Sequence, residues 1–480
     1  TTDLIARGLN PYGLDSQPMK TDLYPPLINL LAAPLSIIFS NNLPLHRAIS
    51  AMFILLSAAL CYRVVLFQKG ARIDALTVCT LVYAACLYFG TPVASGNAVG
   101  LFCFLACIYL PLLRNFDRTS LIWALLFGGL AFYAKQYFVL GLGYITLYMF
   151  LCISMRRALV FGLACATLIF GSLAVVHSSS PYYLDNTLFA VGYFADAIMM
   201  KDYMLRQLLE FGEIYVGPIC LILVILYKQL RTKDWLANYS GMRTSKYLDA
   251  PMLRIHVNYP FYCFVISTLI IVLFLGRNPG NWLTYLMQLM APTLLVASYS
   301  LLANSAVSRG LVTGFSLWTM AQSHSFLAHN FEIDMQPWQK ADTLIASHER
   351  ILASPLLTDR LLTQGKEIFQ TGHTPYFKYA AQKPDIFKHS IPSQEVANIW
   401  LEYQRELYRR LEEKEIDLII VTVWDLRGIF ENNPQPDTGI EGFQILKENY
   451  FRDGSLPLSM IERPGGGKYN MQIWRPKRKE

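Results

Sequence analysis

Asp22-Leu23-Tyr24-Pro25-Pro26-Leu27 joins two unlike parts of the chain. Thr1 to Tyr24 is a polar opening segment, and Leu27–Phe39 is an apolar run that follows at once. A carboxylate stands two residues before an aromatic, and the two prolines after it can continue neither a helix nor a strand ladder. Two readings are open. The rigid backbone holds Asp22 at the foot of a membrane-grade run, or the prolines simply mark where a loop meets a bilayer.

Outward from that stretch, composition narrows the class. The 480 residues are 54% hydrophobic and 16% charged, with a positive mean hydropathy, which predicts a polytopic α-helical membrane protein with room for one soluble domain. Net charge is +7, and no basic run interleaved with aromatics points to nucleic acid. All nine cysteines fall in apolar runs, so no disulfide framework or zinc ribbon is expected in the tail. Thr1 is not a start methionine, and an N-terminal segment is expected to precede it.

Apolar runs near 44–66, 71–90, 97–113, 119–134, 136–154, 157–177, 213–229, 259–276, 284–304 and 309–325 predict about ten spans within 44–325. Residues 1–43 then form a first extracytoplasmic loop, in which Leu27–Phe39, short and broken by Pro34, is expected to be interfacial or re-entrant. Short loops on one side carry Lys69, Arg72, Arg114, Arg118, Arg156, Arg157, Lys228, Arg231, Lys233, Arg243, Lys246, Arg254 and Arg309. Those on the other carry only Lys135, Lys201, Arg206 and Arg277. The excess marks the first side as cytoplasmic. The opening segment and the tail are then extracytoplasmic, and a helix upstream of Thr1 would make eleven spans.

The outer ends collect the polar residues that are costly at membrane depth. They include Asp3, Asp22, His46, Arg47, Asn97, Lys135, Gln136, Tyr183, Asn186, Arg277 and Asn281. Each has a bland alternative. Lys135 either snorkels to the interface or serves an anion such as a lipid phosphate. Arg47 is otherwise an interfacial anchor, Arg277 an exposed loop charge, and the tyrosines an aromatic belt.

The tail, 326–480, reads as a small α/β domain. Gln336–Ala353 and Ser393–Glu415 show helical periodicity. Residues 417–424, 355–359 and 468–474 read as strands, and the glycines at 465–467 as a turn without Walker spacing.

Taken together, the outer-face residues resemble the GT-C superfamily of polyprenyl-phosphate-sugar glycosyltransferases, in particular bacterial relatives of the protein O-mannosyltransferases and the lipid A aminoarabinose transferase. Asp22 to Leu27 is similar to that family's aspartate-x-aromatic-Pro-Pro-Leu, and Ile5-Ala6-Arg7-Gly8 with Pro11-Tyr12 to the helix end before it. His46-Arg47, Lys135-Gln136-Tyr137, Tyr183-Leu184-Asp185-Asn186 and Gly276 to Tyr285 match further short motifs in order and sidedness, and Pro355–Phe377 resembles the start of the outer domain. Two departures stand out. Ser95-Gly96-Asn97 replaces an Arg-Pro-Asp common in relatives. Matching through Gly8 puts the family's catalytic acid before Thr1, whereas matching by distance to Tyr24 puts it at Asp3; the first is preferred, because loops tolerate insertions better than helices do.

The resemblance implies transfer of a sugar from a polyprenyl-phosphate donor to a glycan, lipid or protein acceptor, with inversion, on the periplasmic face of the inner membrane. It implies Asp3 and Asp22 as catalytic acids. Lys135, Arg277 and Arg47 fall on the donor phosphate, and Tyr24, His46, Asn97, Gln136, Tyr183, Asn186 and Asn281 on sugar or lipid. Neither a cofactor nor a metal is expected. The alternatives are a lipid-sugar ligase or polymerase, or a non-catalytic transporter or binding protein. A transporter would need midplane polar residues and an internal repeat, and the sequence has no repeat.

Overall fold

The computed structural model describes residues 2–13, 24–39, 42–68, 70–90, 96–180, 182–184, 187, 227, 259–270, 289–302, 310–314, 317–318, 321, 334–370, 393–430, 436–460 and 467–478. Helices dominate up to residue 321. The first two are short, α1 (Thr2–Ala6) and α2 (Leu27–Ser36). Longer ones follow: α3 (Asn42–Phe67), α4 (Arg72–Gly90), α5 (Asn97–Leu113) and α6 (Arg118–Ala134). A segment of mixed winding comes next, with a 3-10 turn Gln136–Val139, α7 (Leu140–Tyr148) and a π-helical turn Met149–Ile153. Then come α8 (Met155–Ser179), α9 (Tyr259–Ile270) and α10 (Ala291–Leu302).

Among the described residues, Pro44–Phe67, Gln136–Ile153 and Met155–Ser179 are long and apolar enough to cross a membrane. Asn97–Leu113 and Arg118–Ala134 are apolar but shorter, at 17 residues each. These helices follow the expected runs closely, because unbroken apolar sequence between basic turns leaves no competing period. The run 213–229, and most of 309–325, lie outside the described residues. One expectation is corrected. Pro34 does not break the run at 27–39, since α2 continues through it to Ser36; its missing N–H removes one bond, to Leu30 O, and only two helical residues follow it.

The bundle is built around α5, buried on nearly every side. That is the pattern of a helix apolar all round. It sits close to its neighbours because glycines face them. A Cβ on Gly100 would stand 2.4 Å from the Phe138 ring, and one on Gly96 2.4 Å from the Ala134 carbonyl oxygen. Caps fix the turns at one end. Asp117 accepts from Ser120 N at the start of α6, and Ser154 Oγ accepts from Arg157 N at the start of α8. Arg72, Arg114, Arg118, Arg156 and Arg157 gather there, and Tyr299 of α10 donates its hydroxyl to Asp74 of α4 (2.9 Å). The opposite end brings together the starts of α3 and α5 and the ends of α6 and α8. Asn10 Nδ2 donates there to Ser179 O and Ser180 Oγ, both at 3.0 Å, holding the opening segment against the end of α8.

Among the described residues, 334–478 carry four strands and five helices: α11 (Gln336–Ala346), α12 (Thr358–Thr363), α13 (Ser393–Glu412), α14 (Val423–Phe430) and α15 (Pro436–Asn449). The sheet runs β1 (Ile351–Ala353), β2 (Leu418–Val421), β4 (Gly467–Pro476), β3 (Tyr450–Met460). β1 and β2 are parallel, in register Ile351↔Leu418, and the other pairs are antiparallel. Both parallel strands are fully buried, as parallel pairs covered on both faces are. Two apolar clusters, around Tyr403 and Phe430 and around Ile345 and Leu357, pack the helices on the sheet.

The tail departs from the sequence reading at four places. Helix α11 ends at Ala346, and Ile351–Ala353 is a strand instead. Pro355–Leu357 winds as a 3-10 turn leading into α12, because Pro355 suits a first helical position after the Ser354 cap. The strand expected at 417–424 stops at Val421. There Thr422 Oγ1 accepts from Asp425 N (3.0 Å) and Asp425 Oδ2 accepts from Thr422 N (2.8 Å), a reciprocal cap that starts α14. β3 was not expected at all, since its Arg452-Asp453-Gly454-Ser455 reads as loop. It is an edge strand with a register shift at Arg452/Gly454 and Pro457 within it, features that edges accept and central strands do not.

Candidate functional site

The candidate site lies at the bundle end opposite the basic one. Helix α6 stops abruptly: Lys135, its C-cap, is extended (φ −164°, ψ 129°), and its N–H still reaches Ala131 O. That kink sends the Lys135 side chain inward. It is 8% exposed, and its Nζ donates to Asn97 Oδ1 (2.9 Å), the first residue of α5. Gly96 permits the approach, because its missing Cβ is what leaves room for the Ala134 carbonyl.

Two rings flank the ammonium. Nζ lies 5.3 Å from the centroid of Tyr24 and 5.5 Å from that of Tyr137, within the range of a cation–π contact. The hydrogen-bond acceptor and both rings are neutral. Burial therefore pulls the Lys135 pKa down from its ordinary 10.5 to about 8.

From Lys135 a closed circuit of contacts runs through the opening segment and back. The Tyr24 carbonyl accepts from Tyr12 OH, and the Tyr12 ring meets Tyr183 edge-on at 5.1 Å. Tyr183 O accepts from Thr187 Oγ1 (2.6 Å), and Thr187 O accepts from Gln136 Nε2 (2.6 Å). Lys135, Asn97, Tyr24, Gln136 and Tyr183, all expected at the site, are thus brought together.

His46 and Arg47 stand at the same end. The Thr2 hydroxyl donates to Asn29 Oδ1 (2.8 Å) and stands 2.8 Å from His46 Nε2. Its one hydrogen is committed to Asn29, so the imidazole is the donor through Nε2–H. That leaves Nδ1 bare, and it is buried without a hydrogen-bond partner. His46 thereby ties α1 and α2 to the start of α3. Burial raises the Asp359 pKa, and Arg360 and Arg47 partly offset the rise, so α12 sits within electrostatic reach of α3. Arg360 in turn pairs with Asp342 (2.5 Å) and lies over the Trp338 ring.

Asp22, Asn186, Arg277 and Asn281 lie outside the described residues, as does the side chain of Asp3 on α1. Among the described residues no group of three His, Cys, Asp or Glu is placed to hold a metal ion. Thr187, Thr2, Asn29 and Asp359 take part here without having been singled out in the sequence. Thr187 adjoins an expected asparagine, but nothing in spacing marks its carbonyl as the acceptor for Gln136.

No family model matches the chain, and no curated protein matches it. Among solved structures it is similar to the oligosaccharyltransferase of Archaeoglobus fulgidus, crystallised as a complex with Zn and sulfate. The identity is 10% and the TM-score 0.43, over 93% of this chain and 64% of that one. The chain thus spans less than two thirds of that protein's length, and a likeness of this size fixes neither family nor activity.

Proposed function

We propose that the protein is a membrane glycosyltransferase of GT-C type that takes a sugar from a polyprenyl-phosphate donor on the extracytoplasmic face of the inner membrane. The observation that carries the reading is Lys135, a buried ammonium held by a neutral amide oxygen and two rings. A cation already desolvated at this end of the bundle suits a phosphate, whose oxygen would add a charge-assisted hydrogen bond. The long apolar helices beside it suit a donor whose tail stays in the bilayer.

In the transfer step an acceptor hydroxyl attacks the anomeric carbon from the side opposite the phosphate. The new C–O bond forms as the sugar–phosphate bond breaks, the electron pair leaves with the phosphate, and the configuration inverts. Lys135 stabilises the charge that grows on the phosphate. Arg277 is assigned the same task, and Asp22 or Asp3 accepts the proton from the hydroxyl. Gln136, Asn97, Asn186 and Asn281 are assigned to the sugar, with Tyr24 and Tyr183 as walls. Arg47, in reach of Asp359, sets the tail against this end, where an acceptor would be read.

The test is transfer by the purified chain with its native N-terminus, using a panel of polyprenyl-phosphate sugars and a Lys135→Ala control. Transfer that the control loses supports the reading. Absence of transfer across the panel, with no donor binding either, overturns it.

A further inference from the structure

A second feature lies at the basic end of the bundle. Between α7 and α8 runs a groove of about 520 Å³, walled by Leu142, Gly143, Thr146 and Phe150 on one side and Leu159 and Gly162 on the other. Its walls are apolar in effect, because the Thr146 hydroxyl is turned back to Leu142 O (2.8 Å). The groove is open at Gly143, where a Cβ would meet nothing within 4 Å, and closes at Gly162, where one would meet Thr146 Cγ2 at 3.2 Å. Phe150 and Leu159 are exposed along its rim.

Two arginines directly precede the lining residues Ala158 and Leu159 on α8. Arg156 stands three residues before Leu159, hence on the same helix face, and Arg157 follows it; both are exposed. They occupy the first turn of α8, where the helix dipole disfavours cations. An anion there would offset the cost.

The geometry points to a binding site for an anionic glycerophospholipid of the leaflet at the basic end, with one acyl chain in the groove and the phosphate on Arg156 and Arg157. Depth decides between this lipid and a polyprenyl phosphate. From Arg156 to Cys165, which also lines the groove, the helix rises about 14 Å, close to half of the roughly 30 Å hydrocarbon core. That length suits an acyl chain confined to one leaflet, whereas a polyprenyl tail would outrun it. The volume falls in the range of built ligand sites, about 300–1,000 Å³. The site needs only that the chain spans a bilayer, and it does not depend on the transfer chemistry.

The experiment titrates the full chain, purified in neutral detergent and stripped of lipid, with phosphatidylglycerol and with phosphatidylcholine, and counts bound lipid by native mass spectrometry. We expect one phosphatidylglycerol to be retained in preference to phosphatidylcholine. Arg156→Ala with Arg157→Ala should weaken that by about 30-fold, from the attraction of two arginines to anionic lipid. Arg156→Lys with Arg157→Lys should restore most of it. Gly143→Phe, which fills the groove and leaves the charges, should abolish it. Unchanged elution on gel filtration checks that each variant is folded. Equal retention of the two lipids, unaltered binding in Gly143→Phe, or displacement by polyprenyl phosphate at equal concentration would each overturn the proposal.

Discussion

Lys135 Nζ donates across 2.9 Å to Asn97 Oδ1, joining the end of one helix to the start of the helix at the centre of the bundle. That acceptor is a neutral amide, and burial holds the Lys135 pKa well below its ordinary value. Burial makes the charged form of Lys135 costly.

The cost is measurable. Depression of the Lys135 pKa from 10.5 to about 8 corresponds to about 3 kcal/mol against the folded, charged form. Because the folded value lies below the unfolded one, the penalty is fully felt below pH 8 and disappears as pH rises from there toward 10.5. Lys135→Met is therefore expected to raise the melting temperature at neutral pH and to flatten its rise with pH, while abolishing transfer. Thermal scans of both proteins across that window check the sign.

Gly96 sets the approach of the two helices. Gly96→Ala would place a methyl 2.4 Å from the Ala134 carbonyl oxygen, which backbone must move to admit. Overpacking of this kind costs about 1–3 kcal/mol. We expect a modestly less stable protein whose loss of activity exceeds its loss of stability, because Lys135 follows Ala134 directly. Circular dichroism and transfer assays on the same preparation separate the two effects.

Thr2→Val removes the hydroxyl between His46 and Asn29 and leaves a buried imidazole and a half-buried amide without it. About 1–3 kcal/mol of stability should be lost. Binding of donor at saturating concentration should change little, since His46 holds α1 and α2 to α3 and touches no part of the Lys135 circuit described above. A thermal shift beside a binding isotherm distinguishes this tie from a ligand contact.

The link between Arg47 and Asp359 predicts a small coupling. Asp359 is only partly buried, so a double-mutant cycle of Arg47→Ala and Asp359→Asn should give about 0.5 kcal/mol, the scale of a solvent-screened pair. Additivity within error would remove the link.

What was legible in the sequence followed from period and sidedness. The helices from α3 to α8 fall where apolar runs are bounded by basic turns, and Lys135-Gln136 stood out as a cation in a tight turn between two such runs, where snorkelling and anion binding read alike. The circuit through Tyr12, Tyr183 and Thr187 was not legible. It depends on backbone carbonyls and on chain segments more than 100 residues apart, and spacing carries no record of either. In the tail, the reciprocal cap at Thr422 and Asp425 was written in the sequence but hidden by the apolar strand before it. β3 was missed because an edge strand need not alternate, and its charged bulge imitates a loop.

The central claim is that Lys135 receives the donor phosphate, and binding of a polyprenyl phosphate to the full chain tests it most directly. It should be measured at pH 7 and again well above the Lys135 pKa of about 8, for the native protein and for Lys135→Met. The account predicts tight binding by the native protein at neutral pH that weakens once Lys135 is deprotonated, and a variant that binds weakly at both. Equal binding by the two proteins at neutral pH would contradict it.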